Sequence, residues 1–130
     1  MVSLTEVRAS NSQISTALPA GLVAIFVGGT SGIGETSLKK FASYSRQPRA
    51  YIVGRSQHAA ERIIAECMIL NPEGEYIFIK ADVSLMKNVD EVCETIKAKE
   101  KFVNLLFLSA GVPSLDGAGM KPPTTPVLGK

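Results

Sequence analysis

The feature that most constrains this chain is a short apolar run that ends in glycines. Leu22-Val23-Ala24-Ile25-Phe26-Val27 leads directly into Gly28-Gly29-Thr30-Ser31-Gly32-Ile33-Gly34. A continuous apolar run rich in β-formers, without alternation, suits a strand buried on both faces of a parallel sheet. Beyond the glycines, Ile33, Leu38, Phe41 and Ala42 recur on one face of a helix that should end before Pro48. Strand, glycine-rich turn and helix together bring unpaired backbone N–H groups and the positive end of a helix dipole to one point, which favours an anion there.

The alternation continues. Ala50-Tyr51-Ile52-Val53 reads as a second strand, closed by Gly54. A second helix carries Ala60, Ile63, Ile64 and Cys67 at helical spacing, with Ser56 as its N-cap. Asn71-Pro72-Glu73-Gly74 is a turn, and Tyr76 to Ile79 a third strand. A third helix places Val89, Val92, Cys93 and Ile96 on one stripe, and Val103 to Leu108 is a fourth strand. Strands alternating with helices predict an α/β domain with a parallel sheet and right-handed crossovers, in the spatial order 3-2-1-4. This core spans residues 21–112. Residues 1–20 precede it as an extension, in which Ser3 and Glu6 have capping-box spacing and predict a short helix from Leu4 to about Asn11, followed by a connector. Residues 113–130 are rich in proline and glycine and predict a loosely draped tail.

Composition narrows the partners. Hydrophobic residues make up 45% and charged residues 20%, with a net charge of +2 and no basic stripe, which argues against nucleic acid or anionic lipid. Cys67 and Cys93 lack CxxC spacing and read as core residues of a protein in a reducing cytoplasm. His58 is the only histidine, so a histidine-based metal cluster is excluded. No leader segment and no apolar run long enough to span a membrane is evident.

Gly28, Gly32 and Gly34 follow a GxxxGxG spacing. Alone, that spacing also fits a mere tight turn; its position between a strand and an amphipathic helix favours phosphate binding. A nucleoside-triphosphate loop, GxxxxGK[ST], nearly fits from Gly29, but Glu35 stands where the lysine must be. A carboxylate there would repel the phosphates that a lysine attracts.

In these residues the chain resembles the short-chain dehydrogenase/reductase superfamily, whose N-terminal pattern is TGxxxGxG, with Val27 here in place of the usual threonine. Three further elements match in order: Val53-Gly54-Arg55 after strand two, Ala81-Asp82-Val83-Ser84 after strand three, and Leu108-Ser109-Ala110-Gly111 after strand four. The opening of the chain also resembles members found in fungal secondary-metabolite pathways. The resemblance implies a Rossmann-type nucleotide fold in which Gly28, Thr30, Ser31, Gly32, Ile33 and Gly34 surround the pyrophosphate and ribose of a nicotinamide dinucleotide. It implies that Asp82 and Val83 line the adenine pocket, with Ala110 and Gly111 at the end of strand four; Asp82 also has a plainer reading, as a cap entering helix three. An acid after strand two would bind the 2′-hydroxyl of NAD. Arg55 with Ser56 instead suits the 2′-phosphate of NADP, unless Arg55 is simply a solvated surface residue.

The resemblance further implies carbonyl reduction or alcohol oxidation by hydride transfer, performed by a serine and a Tyr-x-x-x-Lys pair that the family carries beyond strand four. Tyr44, Tyr51 and Tyr76 are all read as packing residues and none is assigned that role. The expectation is therefore a partial Rossmann-type sheet truncated after its fourth strand, with that apolar strand exposed to pair with a second copy or another partner. A non-catalytic nucleotide-binding or interaction module is the alternative.

Overall fold

A computed structural model describes residues 1–109. The readings placed on Ala110, Gly111 and the 113–130 segment lie outside these residues. Four parallel strands form one sheet: β1 (Val23–Val27), β2 (Arg49–Gly54), β3 (Glu75–Lys80) and β4 (Leu105–Leu108), in the order β3-β2-β1-β4. The expected order is therefore the observed one. The register pairs Val27 with Val53 on one side and with Leu108 on the other, so the three carboxyl ends finish level.

Period-two alternation divides the core. Ala24, Phe26, Ala50 and Ile52 point to one face, against Leu38 and Ala42 of α3 (Gly32–Tyr44) and Ile63 and Cys67 of α4 (Gln57–Leu70). Val23, Tyr51 and Val53 point to the other, against Val92 and Ile96 of α5 (Met86–Lys99). Phe26 anchors the first face, with ring centroids 5.7 Å from Phe41 and 5.6 Å from Phe107. Each such fully buried side chain contributes roughly 1.5–3 kcal/mol relative to exposure. Helices on both faces of the sheet are the reason that β1 and the middle of β2, Ala50 to Val53, carry apolar side chains on both sides.

Local signals set the helix ends. Ser56 Oγ accepts a hydrogen bond from the Ala59 amide, as its position before α4 predicts. Ser3 and Glu6 form a complete capping box on α1 (Leu4–Ser12). The connector contains a single helical turn, α2 (Ile14–Ala17), which its sequence did not announce. Asn71 closes α3 from a distance, its side-chain amide donating to the Ala42 and Ser45 carbonyls at 2.9 and 2.8 Å. Among the described residues no helix is long and apolar enough to cross a membrane.

Three positions depart from the expected core. Tyr44, read as a packing residue, is exposed at the end of α3 with Lys40 over its ring. Ile33 is 75% exposed, because it lies off the side of α3 that Gly34, Leu38 and Ala42 bury, even though Gly34 is in the same turn. Cys93 is exposed as well, since α5 buries only Val92 and Ile96 and Cys93 lies to one side of that stripe. Cys67 is buried as predicted.

Candidate functional site

The sheet changes direction at β1: β2 lies on one side of it and β4 on the other. Loops leaving the carboxyl ends of such neighbours diverge and open a crevice, the usual ligand position in α/β sheets. The glycine loop lies at that point. Gly28 donates its amide to the Val53 carbonyl at 2.9 Å and has φ +87°, which turns the chain out of the strand. Gly34 is buried beneath the loop: a Cβ there would run into the Gly28 carbonyl oxygen and lie 2.6 Å from Ser109 Oγ. Glycine is required at Gly34 for close approach rather than for an unusual dihedral.

Among the described residues, the N–H groups of Gly32, Ile33 and Gly34 donate to no backbone carbonyl. Ser31 is the N-cap of α3, yet its hydroxyl makes no capping bond. The start of α3 therefore presents free donors at the positive end of its dipole, the arrangement that binds phosphate.

Beside the loop is a cleft of about 420 Å³, lined by Gly28, Thr30, Ser31, Gly54, Arg55, Asp82, Val83, Ser84 and Ser109 among others. The cleft thus unites five expected site residues from three separate loops with Gly28. Gly32, Ile33 and Gly34 are not on its wall; Gly34 supports it from below. Gly54, Ser84 and Ser109 were not singled out from sequence as site residues, although each belongs to a matched motif.

Arg55 leaves β2 exposed, forms no ion pair among the described residues, and shares the cleft wall with Asp82. Asp82 Oδ1 accepts hydrogen bonds from the Ser84 hydroxyl at 2.7 Å and the Ser84 amide at 3.0 Å. These bonds, with a smaller contribution from the Arg55 charge, hold the Asp82 carboxyl below its ordinary range. Asp82 therefore shapes the turn before α5, whose N-cap is Leu85. Asn88 reinforces that turn, donating to the Asp82 carbonyl at 2.9 Å.

Glu35 does not face the cleft. Its carboxylate lies 2.6 Å from Lys39 Nζ and 3.2 Å from Arg62, bridging α3 to α4. One Tyr-x-x-x-Lys spacing is present, Tyr76 to Lys80, contrary to the reading that assigned none. It lies within β3, where four residues span about 13 Å. The Tyr76 hydroxyl donates to the Asn71 carbonyl at the opposite end of the sheet from the glycine loop, so the pair cannot act on one substrate.

The family model described as short chain dehydrogenase matches residues 22–124. The chain belongs to the short-chain dehydrogenase family. Among the curated relatives of this short-chain dehydrogenase is the oxidoreductase andH of Emericella variicolor, 46% identical over 111 residues, covering 85% of this chain and 33% of the relative. Another is the oxidoreductase AN1596 of Emericella nidulans, 47% identical over 117 residues, covering 90% of this chain and 34% of the relative. The chain spans about a third of the length of these relatives. Among solved structures it resembles L-sorbose reductase from Gluconobacter frateurii, determined with NADPH and L-sorbose, at a TM-score of 0.66 and 22% identity over 76% of this chain and 38% of that one. At that identity the likeness establishes the fold alone.

Proposed function

We propose that this chain is the NADP(H)-binding portion of an oxidoreductase that transfers hydride between the nicotinamide ring and a carbonyl or alcohol substrate. The observation that carries the reading is one cleft, lined by Thr30 and Ser31 at the entry to α3 and by Arg55, whose guanidinium forms no ion pair among the described residues. The pyrophosphate would lie over Gly28, Thr30, Ser31, Gly32, Ile33 and Gly34. Arg55 would meet the 2′-phosphate as a planar, permanently charged donor. Adenine would lie against Asp82 and Val83. When bound, the cofactor supplies the hydride; the residues of this chain bind and orient it. The resemblance to fungal secondary-metabolite reductases, and the fungal origin of the relatives, support a biosynthetic role. Two unpaired cysteines agree with a cytoplasmic setting.

Thermal denaturation with NADP⁺ and NAD⁺ tests the assignment. A nucleotide at about 100 times its Kd should stabilise the chain by about 2.7 kcal/mol. NADP⁺ should win, and Arg55→Asp should erase or invert that preference. No shift with either nucleotide would overturn the reading. An unchanged preference in Arg55→Asp would remove Arg55 from it.

A further inference from the structure

Gly28 is gripped from both sides. Its N–H is bonded to β2 through the Val53 carbonyl, and its carbonyl is turned back toward β4. There it meets Ser109, whose own amide closes the β1–β4 ladder on the Val27 carbonyl at 2.9 Å. The Ser109 hydroxyl reaches the Gly28 carbonyl at 3.3 Å and the Val27 carbonyl at 3.4 Å. Its other neighbour is Gly34, where an added Cβ would lie 2.6 Å from Ser109 Oγ. The strand end, the first glycine and the first turn of α3 therefore meet at one hydroxyl.

We propose that Ser109 is a positioning residue for dinucleotide binding: its hydroxyl, held between the Gly28 carbonyl and the α-carbon of Gly34, keeps the glycine loop in the conformation that presents its N–H groups. This rests on the proposed cofactor reading and extends it. Two properties of the side chain matter. It is a donor, because the groups it faces are carbonyl oxygens, and it is small, because Gly34 leaves no room above it. Alanine at this position keeps the space and loses the donor; leucine loses the donor and pushes on α3. Both bonds are long, so the hydroxyl biases the loop rather than locking it. Ser109 acts on the glycine loop, which would hold the pyrophosphate that NAD and NADP share. Its effect must therefore fall equally on both nucleotides, unlike that of Arg55.

The test measures Kd for NADP⁺ and NAD⁺ in wild type, Ser109→Ala and Ser109→Leu, together with amide exchange of the nucleotide-free proteins. Ser109→Ala should weaken both nucleotides by the same factor, about three- to tenfold, leaving their ratio unchanged; Ser109→Leu should weaken them further. In the free protein, Ser109→Ala should speed exchange at Gly28 severalfold while Ala24 and Ile52 in the strands keep their rates. Wild-type affinities with wild-type Gly28 exchange in Ser109→Ala would overturn the proposal. So would a changed NADP⁺:NAD⁺ ratio, or acceleration shared by all strand amides, the mark of general destabilisation. Should wild type bind neither nucleotide, the cofactor reading fails on its own, and the Gly28 exchange rate still decides whether Ser109 holds the loop.

Discussion

The Gly28 amide donates to the Val53 carbonyl at 2.9 Å, so the first residue of the glycine loop still belongs to the β1–β2 ladder while its φ of +87° turns the chain away. The loop is thus a continuation of the sheet. Its glycines serve different needs, and their substitutions should differ in kind.

Gly34→Ala is expected to be the most damaging of the loop substitutions, because the new methyl meets a backbone carbonyl that cannot move without breaking the loop. Gly32→Ala has open space but a φ of +58°, and should cost about 1–2 kcal/mol of strain. Denaturant unfolding and nucleotide titration of both variants check the ranking. Equal effects would show that close approach at Gly34 is unimportant.

The two cysteines should be chemically distinct. A thiol reagent at neutral pH should label Cys93 in the folded protein and Cys67 only after unfolding. Burial pushes the Cys67 thiol up to about 11 from its ordinary 9.0. Burial does the same to the Tyr51 hydroxyl, reinforced by the Glu100 carboxylate, and to Tyr76, each raised to about 12 from 10.0. All three are neutral in the folded chain at pH values where the unfolded chain ionises. Their stabilisation is whole below pH 9 and is lost as pH rises toward 12. Denaturant midpoints measured from pH 8 to 11.5 should fall across that window; a flat profile would contradict the assignment.

Glu35, Lys39, Arg62 and Glu66 form one bridge between α3 and α4, with Lys39 Nζ 2.6 Å from both carboxylates. Partly exposed pairs of this kind contribute little, so Glu35→Gln should cost about 1 kcal/mol or less, and less still in high salt. Glu35→Lys should cost more by crowding three cations, and should confer no affinity for nucleoside triphosphates. Tight ATP binding by Glu35→Lys would mean that the side chain reaches the phosphate loop after all.

The outer edge of β4 is apolar, with Leu106 57% and Leu108 69% exposed. Both face a groove of about 610 Å³ between the sheet and α5. Light scattering of the isolated chain should show association that rises with concentration and is reduced by Leu106→Lys. A monomer across the whole range in both proteins would show that this edge does not self-associate.

Much of the fold was legible because its signals are local. An apolar run between glycines, a serine before a helix, and a Ser3–Glu6 capping box each act within a few residues, and each forms as expected. The motif order after β1, β2 and β3 likewise placed Gly28, Ser31, Arg55 and Asp82 near one another, since parallel strands deliver their carboxyl ends to the same side. Periodicity failed at Ile33 and Cys93 for one reason: each lies to the side of a buried stripe that is narrower than the apolar face the sequence offers.

By itself, then, the sequence determined the order of elements from β1 onward, the sheet order and the glycine loop, all consequences of short-range chemistry and chain-crossover rules. Only the tertiary structure decided what faces what. It turned Glu35 toward Lys39 and Arg62, separated Tyr76 from Lys80 along a strand, and set Ser109 beneath Gly28 and Gly34. The physical reason is that such contacts join residues distant in the chain, and spacing along the chain carries no measure of the distance across a packed sheet.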